Sequence, residues 1–239
     1  MKSAVKSVNP ELEEQEAEMI GNMSVLHIVR AGSDITFSSL KVIGNRILDA
    51  FRGTIREFEL DRHKAPVVDS IDAYFLTRIL HEEYGGHVLG ITDADLTTDD
   101  ADAFYNSIFG GKNPQNDVAV VSTKKLCTDP LDSRKAYEVC LERTVKVSLH
   151  EVGHNLGLTD HVTYKTASDG YLCPMSRGET NKFGHHGYVR AIIDGRGVNF
   201  CDECLYFLRR MTYPRHRLSK MVKDCLAVPT GIRKWLGSS

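Results

Sequence analysis

The stretch that most limits the fold is DVAVVST at 117–123, a nearly continuous apolar run of strand length. A strand without polar alternation has both faces covered, as in a parallel sheet sandwiched between helices. SVLHIVR at 24–30, TIREFEL at 54–60 and HVLGITD at 87–93 read as companion strands. Between them, Leu40, Ile43, Ile47, Leu48 and Phe51 recur at helical spacing, as do Ile71, Phe75, Ile79 and Leu80 near 70–83. This βαβαβ order predicts an α/β chain whose mixed, mostly parallel sheet has flanking helices. The link Asp99–Ala103 with Phe104–Phe109 is expected to supply an edge strand.

After Pro130 the pattern changes. A long helix is predicted over about 131–156, with Leu141, Val145, Leu149, Val152 and Leu156 along one stripe. From Gly157 onward the chain is rich in Gly, His and Cys and has no long periodic segment before about Cys201. The expected organisation is a polar, mobile extension over 1–22 and one domain over 23–239. That domain divides into a sheet-based half (23–130), the long helix, and an irregular C-terminal part (157–239). A chain of 239 residues can bury a core without a metal to hold it together.

The helix carries the chemistry. His150 and His154 in HEVGH are four apart, so their imidazoles leave one face about one turn apart and can share a zinc ion. Glu151 beside them is placed to polarise a zinc-bound water and pass its proton to a leaving amine. Leu149 and Val152 are expected to face the core, giving one buried flank and one ligand flank. Gly157 permits a left-handed exit that returns the following residues towards the metal. Asp160 stands three residues on, followed by His161. Carboxylate oxygen is a competent zinc donor.

The chain has six cysteines. Cys201 and Cys204 form a CxxC pair that can give two thiolates to one tetrahedral zinc, with Cys173 and His161 the nearest further donors. Dithiol redox chemistry is the other use of CxxC, but no thioredoxin-like strand precedes this pair. Met175 suits a tight turn beneath the first metal. Cys127, Cys140 and Cys225 are taken as ordinary thiols.

In this order of residues the sequence resembles the archaemetzincin family, whose pattern is HExxHxxGxxHC, then CxM, a spacer and CxxC. His150, Glu151, His154, Gly157, Cys173, Met175, Cys201 and Cys204 match it, and the similarity covers about residues 23–210. The resemblance implies a metzincin-like α+β peptidase with one catalytic zinc and one structural zinc, two per chain. It departs from the family at the HC dipeptide, which is Asp160-His161 here, and in two longer gaps. Eleven residues separate His161 from Cys173 and 25 separate Met175 from Cys201. With the register fixed at Gly157, His150, His154 and Asp160 hold the catalytic zinc, and His161, Cys173, Cys201 and Cys204 the structural one. The alternative turns His161 to the catalytic zinc with Asp160 behind it, which requires the turn after Gly157 to be rebuilt. His185 and His186 in the longer gap are read as loop histidines.

The function expected is zinc-dependent peptide-bond hydrolysis on a peptide or protein substrate, with Glu151 as general base. Its backbone would be held extended by the strand at 117–123 or a nearby edge. A catalytically weak zinc-stabilised binding protein on the same scaffold is the alternative. A formal net charge of −2 gives no electrostatic footprint for nucleic acid, and a basic stretch at Arg209–Lys223 reads as a solvated helix face. No apolar run reaches the roughly 18 residues of a membrane span. The opening MKSAVKSVNPELEEQEAEM lacks an apolar signal core, so a cytoplasmic location is expected.

Overall fold

The computed structural model describes residues 25–32, 35–63, 68–98, 107–113, 116–128, 133–177 and 187–212. The extension expected at 1–22, the loop histidines His185 and His186, Cys225, and the basic stretch beyond Thr212 lie outside them.

Five strands form the main sheet: β1 (Val25–Arg30), β2 (Glu57–Arg62), β4 (His87–Thr92), β7 (Gly110–Asn113) and β8 (Val118–Ser122). Their order is β2-β1-β4-β8-β7. All neighbours run parallel except β7, which pairs antiparallel with β8 at the edge. Every residue of β4 and β8 is buried, including the polar His87, Thr92 and Ser122 at their ends, as the apolar centres of both strands lead one to expect.

The pleat divides the strand side chains between two cores. Leu26, Ile28, Leu89, Ile91, Ala119 and Val121 face α1 (Phe37–Ala50) and α3 (Ser133–Asn155). Val29, Val88, Val118 and Val120 face α2 (Ala73–Tyr84) on the other side. The caps agree with the sequence: Thr36 accepts from Ser39 N at 3.1 Å to start α1, and Asp72 accepts from Phe75 N at 2.7 Å to start α2.

Three expectations are corrected. The helix predicted near 70–83 is split: β3 (Ser70–Asp72) ends at the Asp72 cap, and α2 buries Ala73, Leu76, Thr77 and Leu80 while Phe75 is exposed. β3 joins β5 (Asp95–Thr97) and β6 (Ser107–Ile108) in a small second sheet. The strand expected at 54–60 begins later, at Glu57. Finally, Cys127 and Cys140 are not thiols but a disulfide, because the turn after β8 lies against the first half of α3.

The long helix is covered on more sides than one stripe implies: residues 143–149 are all buried. A short π-helix (Val189–Ile193) and the turn after it pack on its far side. There Arg143 makes a two-pronged pair with Asp194 at 2.7 and 2.8 Å and donates to Leu126 O at 3.0 Å. Lys146 donates to Asp194 O at 3.0 Å. These polar contacts let a helix of ordinary hydrophobicity sit in the interior with its charges satisfied.

Candidate metal centres

The last two turns of α3 present His150 and His154 with ring centroids 4.6 Å apart. Each ring is oriented by a backbone carbonyl: His150 Nδ1 lies 2.9 Å from Pro174 O, and His154 Nδ1 lies 2.9 Å from Leu158 O. A carbonyl only accepts, so each Nδ1 carries hydrogen and each neutral ring keeps a lone pair on Nε2. Those two Nε2 atoms are 3.2 Å apart.

The chain then bends. Gly157 has φ of 82°, and Leu158 N donates to Gly153 O at 2.9 Å to close the helix. Beyond it His161 forms a bridge with Ser176, its N–H donating to Met175 O at 2.9 Å. Successive side chains of an extended segment point to opposite sides. Asp160 therefore turns to the histidines, with Oδ1 at 3.3 Å from His154 Nε2 and 3.5 Å from His150 Nε2. His161 turns the other way, its Nε2 at 3.2 Å from both Cys201 Sγ and Cys204 Sγ. Cys173 Sγ lies 3.9 Å from Cys204 Sγ. Cys201 precedes α4 (Asp202–Thr212) and Cys204 is in its first turn.

Glu151 is buried against β7: a Cβ built on Gly110 would come within 2.8 Å of its carboxylate. Burial raises its pKa to about 7, against the pull of His154 and Arg196. Burial, Arg196 and His154 hold His150 well below the usual imidazole value. For His154 burial acts in the same direction, but the Asp160 and Glu151 carboxylates outweigh it and the pKa is raised. Burial opposes ionisation of Asp160, yet the two imidazoles bring it down to about 2. In the sulfur cluster the Cys204 hydrogen bond lowers Cys173 to about 5, while Cys204 is pushed upward.

No family model matches the sequence, and no curated protein matches it. Solved structures do. The archaemetzincin of Methanopyrus kandleri is 26% identical, superposes with a TM-score of 0.59, and is covered over 96% of its length by 80% of this chain. The archaemetzincin of Archaeoglobus fulgidus, complexed with malonate, has 21% identity, a TM-score of 0.53, and coverage of 77% of this chain and 99% of that one. A zinc-dependent peptidase from Methanocorpusculum labreanum has 16% identity, a TM-score of 0.50 and the same coverages.

The chain has the archaemetzincin fold.

That zinc-metallopeptidase scaffold can be tested for zinc on its own donors. With bonds of about 2.0–2.1 Å, nitrogen and oxygen donors around a tetrahedral zinc stand about 3.3 Å apart. The triangle of His150, His154 and Asp160 has edges of 3.2, 3.3 and 3.5 Å. Its Asp160 Oδ1 is buried without a hydrogen-bond partner. Three lone-pair donors facing one another suit a cation between them, and their spacing fits zinc. Thiolates bound at about 2.3 Å stand about 3.8 Å apart, and a thiolate and an imidazole about 3.5 Å. The 3.9 and 3.2 Å separations around Cys204 fit that pattern as well. All four residues of this second group are buried.

Met175 is fully buried, and a Cβ on Gly153 would fall 2.6 Å from its sulfur. The glycine in HEVGH thus admits the thioether beneath the histidine pair. Three polar residues around the archaemetzincin-like site have no signal in the sequence. Arg196 is buried and donates through Nε and Nη2 to Ser176 O, at 3.0 and 2.8 Å, and through Nη2 to the Tyr188 hydroxyl at 3.3 Å. Tyr188 donates to Arg177 O at 3.0 Å and stacks on Phe109. Arg177 Nη1 lies 3.7 Å from Asp160 Oδ2. None sits at a motif spacing from HEVGH, and all three are brought in by the fold after Gly157. A third convergent group, His27 with Glu59 and Asp61, occupies the opposite face of the sheet beside Tyr84. It is partly exposed and reads as a histidine flanked by two carboxylates at 3.5 Å.

Proposed function

We propose that this chain is a zinc-dependent peptidase that hydrolyses peptide bonds at His150, His154, Asp160 and Glu151, with a second, structural zinc held by His161, Cys173, Cys201 and Cys204. One observation carries the reading. Three lone-pair donors suited to a cation, two of them on the same helix as the buried Glu151 carboxylate, converge beside it. A purely structural centre has no use for that carboxylate.

The bound zinc would supply a Lewis acid that acidifies water and polarises the scissile carbonyl. The protein's own residues do the rest. Glu151, raised to about 7 by burial, can take a proton from the attacking water near neutral pH and return it to the leaving nitrogen. Pro174 O and Leu158 O hold the two imidazoles in the tautomer that leaves Nε2 free. β8 cannot receive a substrate strand, because β4 and β7 flank it. β7 is the edge, and Gly110 in it touches Glu151, so an extended peptide added along β7 would bring its backbone to the carboxylate. Lys112 in β7 ties this edge to the helix end by donating to His154 O at 2.9 Å.

A peptide or protein substrate completes the proposal; among the described residues no helix is long and apolar enough to cross a membrane. The test is Glu151→Ala, assayed on unstructured peptides with zinc content measured in parallel. Turnover lost by at least about a thousandfold with zinc retained is the expected result. A parent chain without turnover, or a variant with full turnover, would reject it, and the former would favour a zinc-stabilised binding protein.

A further inference from the structure

The third donor of the histidine centre is a carboxylate, and its two oxygens have different neighbours. Asp160 Oδ1 faces His154 and His150 and is buried without a hydrogen bond. Oδ2 faces outward, with Arg177 Nη1 at 3.7 Å. The pairing is set by the backbone. His161 and Ser176 form an isolated parallel bridge, in which His161 N donates to Met175 O at 2.9 Å and Arg177 N donates to His161 O at 3.3 Å. Arg177 is thus tied through its backbone to the residue that follows Asp160, and from there its guanidinium reaches the outer carboxylate oxygen.

We propose that Arg177 is a positioning residue that acts through Asp160, sharing the carboxylate with the bound cation and drawing negative charge away from it. This rests on the reading of His150, His154 and Asp160 as the catalytic centre. A carboxylate donor places one more negative charge on a metal than an imidazole does and weakens it as a Lewis acid. A permanent cation on the far oxygen offsets that charge, because a guanidinium stays protonated at any relevant pH. It also keeps Oδ1 rather than Oδ2 facing the imidazoles. Arg177 is 58% exposed, so without the carboxylate it would turn into solvent and lose its influence. As a surface ion pair it adds little to stability. Its effect lies on the electrostatics of the centre.

This account makes an unusual double prediction for Arg177→Met in the full chain. Zinc at the histidine centre should be held more tightly, by about 3- to 10-fold, because a repelling charge is gone. At the same time kcat should fall by about 10-fold with KM little changed. Zinc affinity is read by competition with a chromophoric chelator, the ion concerned being the one lost in His150→Ala. Arg177→Lys, which keeps the charge, should lie nearer the parent than Arg177→Met in both readouts. In an Asp160→His background, Arg177→Met should alter neither quantity more than about twofold. Weaker zinc binding in Arg177→Met would make Arg177 a mere prop and overturn the inference. So would unchanged values, a lysine variant no better than methionine, or an equal effect in the Asp160→His background. If no peptide is cleaved by the parent, the peptidase reading fails. The Asp160-dependent shift in zinc affinity still decides the role of Arg177.

Discussion

The two donor clusters lie side by side, yet they are built differently. His150, His154 and Asp160 are each partly accessible and offer three donors with a buried carboxylate alongside. His161, Cys173, Cys201 and Cys204 are all buried and offer four donors with no general base among them. Open three-donor centres leave a position for water and substrate, whereas closed four-donor centres hold a fold together. One extended dipeptide, Asp160-His161, feeds both, so the contrast rests on neighbouring residues that face opposite ways. Disturbing either cluster should reveal which task it performs.

The largest effect is expected from Cys204→Ser. Binding of a structural zinc is folding free energy, on the order of 10 kcal/mol in small zinc domains. Loss of one thiolate should abolish cooperative unfolding of the segment 157–212, seen as lost amide protection there while the sheet stays protected. Full protection would break the comparison, making this cluster dispensable.

Next is Arg143→Met. Its pair with Asp194 fixes the C-terminal part to the buried side of α3. Breaking a buried pair costs about 3–5 kcal/mol, and the partly exposed Asp194 places this one near about 3 kcal/mol. The urea midpoint should fall accordingly, with both zinc ions kept. Reduction of Cys127–Cys140, 13 residues apart in sequence, should lower stability by a similar or smaller amount, up to about 3 kcal/mol. It touches neither cluster, so zinc content should not change. Zinc release on mild reduction would tie the disulfide to the centres. The smallest effect is expected for Gly153→Ala, whose methyl meets the Met175 sulfur at 2.6 Å. Overpacking there should cost about 1–3 kcal/mol, and the histidine centre should lose affinity before the sulfur cluster does.

Much of this was legible in the sequence because it depended on local pattern. The apolar runs of β4 and β8 announced covered strands, and HEVGH fixed the face of α3. The assignment of Asp160 to the histidine pair and His161 to the cysteines rested on the family resemblance with the register held at Gly157. The extended backbone that turns the two side chains opposite ways is seen only in the fold. What was hidden depended on where the chain returns. The Cys127–Cys140 bridge crosses from a turn to a helix, and Arg177 meets Asp160 only once the 161–176 loop has closed. The second small sheet was missed because its strands are two or three residues long, too short to show a period. The second buried side of α3 had no apolar stripe to reveal it, because Arg143 and Lys146 are covered only through their contacts with Asp194.

The most direct test of the two-centre account is zinc stoichiometry by elemental analysis of the purified chain beside its His154→Ala variant. The account predicts two zinc ions per parent chain and one per variant chain, with the variant still folded. A single zinc in the parent, or loss of both ions in the variant, would contradict it.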